Sequence, residues 1–499
     1  MAEAKGKSKK RLPKDAPATT FDPVSVEVKT LDTVVKLLAS SERDVLLQAL
    51  LALDGAAAKH PDSLSAVLEL GATDPLLGLA RHQDLDVRRF SMKLLAQLSR
   101  LEPARRRLLQ DEALVAFFVR VLAEDDDVVA HEFSSLVLAE LTADSAEAGE
   151  LVMTAEGVFD ALLLRTASPD PDVEHNCLQL MANLLRDPAA YEGFAGAAGF
   201  GFEPLLALLG SEYPAVQRLA ARVSGALTAR ARDSRAHELF RRAAGVDRAL
   251  DVLEKPEWED LHQDVTQLLV HAAQDPDTAE LVHRSGALRR LLDLADKSAA
   301  TSSLLDGALA VVARVAALEP GRQALYGLGA HELLARLVRG GAAAACPGLA
   351  LLARLPAALA ALAALDPAPD LAQLLRGESR GWAERTLAAQ ALCELARLDR
   401  RFALALLRDG TQEGEAPCAG LAVAAMECLS AFALEGRARD WLLESGAAVA
   451  AIVRHLRHPS VPLAHAAAAA LLQLTVVDHR VAAAFVRAGA LQWFVGNRT

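Results

Sequence analysis

Residues 168–188 read SPDPDVEHNCLQLMANLLRDP: a turn, one helix and a stop. Ser168-Pro169-Asp170-Pro171 supplies the turn, and Asp172 and Val173 open a helical run. Val173, Cys177, Leu180, Met181, Leu184 and Leu185 recur at three- and four-residue steps, which puts them on one face of a helix. Asp187-Pro188 then ends it. The same cassette returns from one end of the chain to the other, so the chain is read as an array of repeats.

Two markers define the repeat. One is a small residue opening an apolar helix: Gly71-Ala72, Gly157-Val158, Gly245-Val246, Gly286-Ala287, Gly329-Ala330, Gly446-Ala447 and Gly489-Ala490. Glu112-Ala113 and the region Phe200 to Pro204 fill the gaps. Successive markers lie roughly 36 to 45 residues apart, the range of two- or three-helix repeats. The glycine suits a tight inter-helix turn, where a positive φ costs little only without a Cβ. The second marker follows about 15 residues on. It is a polar turn followed by Asp86-Val87, Asp127-Val128, Asp172-Val173, Ala215-Val216, Asp260-Leu261 or Ser460-Val461. An Asp or Ser there can accept from the unpaired N–H groups of the new helix. Each such helix closes before a breaker, as at Glu102-Pro103, Asp187-Pro188, Asp275-Pro276, Glu319-Pro320 and Asp366-Pro367. A short helix then leads to the next glycine, giving three helices per repeat.

Two places break the pattern. Between Asp366 and Leu375 the first helix is nearly missing, and TQEGEAPCAG after Gly410 replaces a second helix. At Thr499 the chain stops just after Gly489 has begun another second helix, with Leu491, Trp493, Phe494 and Val495 in the open. A solenoid normally closes on a polar capping repeat, so a truncated or alternative form is expected. The segments are therefore a disordered basic tail (1–20), well-formed repeats (21–340), shortened repeats (341–420) and C-terminal repeats with an incomplete last member (421–499).

Composition agrees. The chain is 52% hydrophobic but only 4% aromatic, so its apolar surface is Leu, Ala and Val, suited to closely stacked helices. A net charge of -12 argues against broad attraction to nucleic acid or an anionic membrane. Cys177, Cys346, Cys393, Cys418 and Cys428 include no CxxC pair and read as small core residues of a reducing compartment. The N-terminus has no apolar signal region, and Lys5, Lys7, Lys9, Lys10, Arg11 and Lys14 read as a solubilising tail or, alternatively, a nuclear-import or anionic-surface signal. Gly340 to Leu365 is apolar but interrupted by Pro347, Arg354 and Pro356, a poor repeat rather than a membrane span.

The segments KGKSKKRLPKDAPATTFDPVSVEVKT, VVAHEFSSLVLAELT (Val128 to Thr142), SPDPDVEHNCLQLMANLL and LLGSEYPAVQRLA (Leu208 to Ala220) resemble the armadillo-repeat family, in particular a branch found in testis and motile cilia. The resemblance covers roughly residues 5 to 340 and weakens afterwards. Members of that branch carry a further C-terminal domain related to a peptidase-like fold. Nothing here matches it, and no activity of that domain is carried over.

The resemblance implies an all-α, right-handed superhelical solenoid of about ten to eleven armadillo repeats, several degenerate. It also implies a concave groove lined by the third helix of each repeat. In the family's peptide carriers an Asn near the end of that helix holds the ligand backbone, with a Trp one turn earlier. An amide suits the task because it both donates and accepts. Here the Asn position reads Gln97, Glu140, Asn183, Ala226, His271, Val315, Glu394, Ala431 and Gln473, and the Trp position reads Lys93, Leu136, Gln179, Arg222 and Gln267. One Asn survives and no Trp. Lys93, Gln97, Glu140, His175, Gln179, Asn183, Arg222, Gln267 and His271 are accordingly the candidate protein-binding residues. Taken singly, each is also what a solvated helix face carries.

Catalytic, cofactor and metal residues are not expected. His131-Glu132, His237-Glu238 and His331-Glu332 each lack the second His of a zincin site. His455, His458 and His465 have Pro459 and Pro462 between them and imply no ligand geometry. Gly6-Lys7-Ser8 has no preceding strand, and Gly196, Gly199 and Gly201 read as an inter-helix loop without a βαβ unit. The chain contains no GxSxG. The reading is a non-catalytic scaffold that binds other proteins, cytoplasmic, with cilium or flagellum implied by the resemblance. Nuclear import or transcription-linked peptide carriage is the alternative.

Overall fold

The computed structural model describes residues 31–59, 62–110, 112–230, 234–255, 259–284, 286–298, 302–376, 381–398, 440, 443, 447–456 and 461–492. Every element among them is helical, and no strand occurs among the described residues. The basic tail, the TQEGEAPCAG segment, Cys418, Cys428, Ala431, His458 and residues 493–499 lie outside them. The chain divides into two compact units, Met1–Phe200 and Gly201–Thr499.

In the first unit, the stretch 168–188 folds as its residue types dictate. The Asp170 carboxylate accepts from Asp172 N at 2.8 Å, and Pro171 sits in the first turn, where no N–H is required. In the resulting helix Pro171–Leu184, Val173, Cys177, Leu178, Leu180, Met181 and Leu184 are buried. Asp187 then caps the next helix, Pro188–Gly196, from Ala189 N. The same capping recurs one and two repeats earlier, where Asp84 opens Leu85–Leu98 and Asp127 opens Val128–Thr142. Asp86 and Asp172, read as markers in the sequence, lie inside the first turn; the residue two places earlier does the capping in both cases.

The third helices Arg43–Lys59, Leu85–Leu98, Val128–Thr142 and Pro171–Leu184 pack each on the next, and each of the last three also packs on the second helix of its own repeat. Between them lie Leu94, Leu95, Val137, Leu138, Leu180 and Leu184, all almost fully buried. Each such leucine contributes about 1.5–3 kcal/mol relative to exposure.

In the second unit, Pro214–Arg230, Glu259–Ala272, Ser303–Ala316, Ala345–Leu352 and Trp382–Leu398 form the corresponding succession. The helices approach closely: a Cβ at Gly307 would lie 2.6 Å from the Thr266 side chain. The expected missing first helix is corrected here. A first helix, Pro356–Leu365, is present before Asp366, and Ala368–Arg376 is the second helix that follows. What is short is the preceding third helix, Ala345–Leu352, because Pro356 already opens the next element.

The glycine marker has the expected cause at Gly157, Gly286 and Gly329, whose φ values are 74°, 76° and 76°. Gly245 is different. There Ala244 takes the left-handed conformation (φ 53°) and Gly245 is the first helical residue. A Cβ on Gly245 would come within 2.4 Å of the Phe240 ring, so this glycine is a packing requirement. Ala244→Gly is therefore expected to stabilise the chain by up to about 1 kcal/mol, since the left-handed region penalises a Cβ by roughly that amount. Gly245→Ala is expected to lower the thermal midpoint. Melting curves of the two variants check both signs, and a destabilised Ala244→Gly would refute the first.

Candidate protein-binding surface

At the positions singled out in the sequence, side chains bond to a neighbouring third helix or to a residue one turn along their own. In the first unit Lys93 Nζ donates to Asp54 Oδ2 at 2.7 Å, and Gln97 Nε2 to Asp54 Oδ1 at 3.2 Å. Glu140 lies 3.7 Å from Arg100, in the turn that follows the preceding third helix. Leu136 is half-buried at the equivalent of Lys93. Asn183, the surviving groove asparagine, is 6% exposed. Its Nδ2 donates to Ala139 O at 3.0 Å and Thr142 Oγ1 at 3.1 Å, and its Oδ1 accepts from Gln179 Nε2 at 3.0 Å. Both amide hydrogens are thus spent on the neighbouring helix. The expectation that Asn183 faces a ligand is replaced by a clasp between repeats. Asn176, not singled out in the sequence, does the same through Glu132 O at 3.2 Å. His175 and Gln179 are half-buried beside them, His175 Nδ1 lying 3.4 Å from Asn176 Oδ1.

In the second unit Arg222 Nε donates to Asp264 Oδ1 at 2.9 Å, and Arg218 Nε to Asp264 Oδ2 at 3.1 Å. His271 Nδ1 lies 3.0 Å from Gly225 O, and its Nε2 2.7 Å from Gln267 Nε2. A carbonyl can only accept, so Nδ1 carries the proton and Gln267 donates to Nε2. Val315, assigned to the Asn position from the sequence, is the next-to-last residue of its helix as Asn183 is, and it is fully buried. Asp54, Asp264 and Arg218 escaped the sequence reading because their roles depend on the adjacent helix.

A second row of polar contacts joins helix starts. Arg89 grips the capping Asp127 through Nε (2.9 Å) and Nη2 (2.7 Å), and Arg43 holds Asp84 at 2.5 Å. Burial alone would favour protonated Asp127, but the Arg89 guanidinium outweighs it and holds the carboxyl below its usual range. The hydrogen bond from Arg43 likewise lowers Asp84. The remaining chemistry-bearing groups are packed into the core. Buried His131 lies 2.6 Å from Asp125 O, and its desolvation lowers its pKa. Burial pushes the Cys177 thiol up to about 12, and Cys346 is buried as well. His237 is 6% exposed, and His331 lies 3.9 Å from Glu332. Among the described residues no cluster of three or more metal-ligating side chains occurs. Nor is any described helix long and apolar enough to cross a membrane.

A folded-state carboxyl held below its unfolded value stabilises above the unfolded pKa, about 4, and that contribution is lost as pH falls through the lower folded value. Asp127→Asn, which keeps a capping oxygen, is expected to cost about 1–2 kcal/mol at neutral pH for the lost charge-assisted bonds. The cost should shrink at acid pH. Urea denaturation of both proteins across that range measures it; an equal difference at both ends would contradict the assignment.

No protein-family model matches the chain. It is 30% identical over 321 residues to human armadillo repeat-containing protein 3, covering 64% of this chain and 36% of that protein. The chain thus spans about a third of the length of the curated relative it matches. Among solved structures, an engineered protein superposes with a TM-score of 0.66 at 19% identity, covering 89% of this chain and 98% of its own. A chain from work on the phosphorylation switch controlling the interaction between cadherin and beta-catenin superposes with a TM-score of 0.67 at 13% identity, covering 93% and 95%. Three-helix repeats joined through their third helices, together with this likeness, give the chain the fold of an armadillo-repeat solenoid.

Proposed function

We propose that this chain is a non-catalytic scaffold that binds other proteins along the inner faces of its third helices, in the context of the cilium or sperm flagellum. One observation carries the reading. Third helices carry polar side chains at one shared position, where a helix kept only for packing needs none: Lys93 and Gln179 in the first unit, with Leu136 between them, and Arg222 and Gln267 in the second. The likeness to the cadherin and beta-catenin work supports protein as the ligand class. The ciliary context is what the resemblance of the sequence segments quoted above implies.

Peptide carriage into the nucleus is the competing reading. It is disfavoured because a sequence-independent grip on an extended backbone needs a ladder of free amides. This chain has one asparagine at that position, and its hydrogens are already taken.

Proximity labelling in ciliated cells tests the proposal. The combined variant Lys93→Ala, Gln179→Ala and Gln267→Ala removes three partly exposed contacts and should weaken partner labelling by about a hundredfold, each contact being worth of the order of 1 kcal/mol, while still folding. An unchanged partner set on a folded variant would sink the proposal. Submicromolar binding of basic import peptides would transfer it to the nuclear reading.

A further inference from the structure

Within the second unit a cavity of about 770 Å³ opens between two successive repeats. Its walls are the second helices Gly245–Leu253 and Ala287–Lys297 and the starts of the third helices Glu259–Ala272 and Ser303–Ala316. None of the groove candidates borders it. Ligand pockets commonly measure about 300–1,000 Å³. The corresponding cavity one repeat earlier, lined by Gln217 and Lys255 among others, holds only about 270 Å³.

Leu250, Leu253, Leu294 and Leu304 give the cavity an apolar wall. His262 borders it while only 5% exposed. Its Nε2 lies 2.7 Å from Lys255 O, and a carbonyl can only accept, so Nε2 carries the proton and Nδ1 presents a lone pair. That Nδ1 has no partner among the described residues, and an acceptor so nearly buried calls for a donor. The charged lining is balanced. Arg290 is committed: its Nη2 donates to Asp251 at 3.1 Å, and its Nε lies 2.6 Å from Glu254. Asp293 and Lys297 stand one turn apart on the same helix, with Cβ atoms about 5–6 Å apart, and neither has an ion-pair partner among the described residues. The remaining wall is the start of Ser303–Ala316, where Ser302 caps Leu305 N at 3.2 Å. The N–H groups of Ser303 and Leu304 have no acceptor within the helix, and such a helix start favours an anionic group.

We infer that this cavity binds a small zwitterion with an apolar side chain, an α-amino acid or a dipeptide. Its carboxylate takes Lys297 and the N–H groups of Ser303 and Leu304. Its ammonium takes Asp293 and the His262 Nδ1 lone pair, and its side chain enters among the four leucines. The signs of the lining charges select this class. A lone anion meets Asp293 and Glu254, and a lone cation meets Lys297 and the positive end of the helix. A molecule carrying both charges leaves neither unopposed. The site is separate from the groove, so the inference stands whether or not the groove holds a protein.

Isothermal titration calorimetry on the full chain tests it with four probes: L-leucine, leucinamide, N-acetyl-leucine and glycine. Leucinamide lacks the carboxylate and N-acetyl-leucine lacks the ammonium, so each should bind about tenfold more weakly than leucine. Glycine buries no side chain and should lose at least about tenfold as well. Lys297→Gln and Asp293→Asn should each weaken leucine by about tenfold. Both residues are exposed and hold nothing in place, so both variants should fold. Ser303→Pro removes one N–H at the first helical position, where proline is tolerated, and Ser302 (φ -84°, ψ 139°) already has the backbone that precedes a proline. That variant should fold and bind leucine about fivefold more weakly. Leucyl-leucine binding more tightly than leucine would assign the cavity to a dipeptide, and weaker binding to the amino acid. Equal binding of leucine and either singly charged probe overturns the inference. So does indifference of leucine to both Lys297→Gln and Asp293→Asn, or the absence of binding by every probe at millimolar concentration.

Discussion

Each third helix is wedged between two others, and that constraint shapes everything else. Ordering a residue costs about 1–2 kcal/mol of backbone entropy, which one apolar stripe on one short helix cannot offset. Pro171–Leu184 solves this by burying most of its circumference: Val173 and Met181, Leu178 and Leu180, Cys177 and Leu184 are all shielded. Only a neighbouring repeat can supply so much cover. Close approach then becomes a requirement in its own right, as Gly307 against Thr266 shows.

The same crowding decides what the polar side chains can do. Where two helices touch, an amide at the rim finds the carbonyls and hydroxyls of the neighbour before it finds a ligand. Asn183 and Asn176 bond to the helix of the preceding repeat for that reason, and His271 does so through Gly225 O. A generic ladder of asparagines would hold any backbone. A rim of individually paired Lys, Arg, Glu and His groups can only favour a partner whose own charges fit the remaining gaps.

Much of the fold was legible in the sequence because its signals are local. An aspartate before a helix start, a proline inside the first turn and a glycine at a left-handed turn act over two or three residues, and Asp170, Pro171 and Gly329 behave accordingly. What escaped depends on packing at a distance. Ala244 adopts the left-handed turn because Phe240 claims the space beside Gly245, and no pattern of one repeat reveals it. Asp54 and Asp264, in turn, have roles only through the neighbouring helix.

Pairing within the rim also ties the polar positions of the third helices to the stability of the stack. A partner that drew Lys93 away would leave Asp54, 19% exposed, poorly solvated and supported by Gln97 alone. Binding there must work around pairs that already exist, and any ligand charge near them meets an opposing one. In the second unit Arg218 and Arg222 both bond the Asp264 carboxylate, which is 14% exposed, so the loss of either leaves the other to hold it. Breaking a pair outright leaves a poorly solvated charge at the rim, so the pairs belong to the stack as much as its apolar core does.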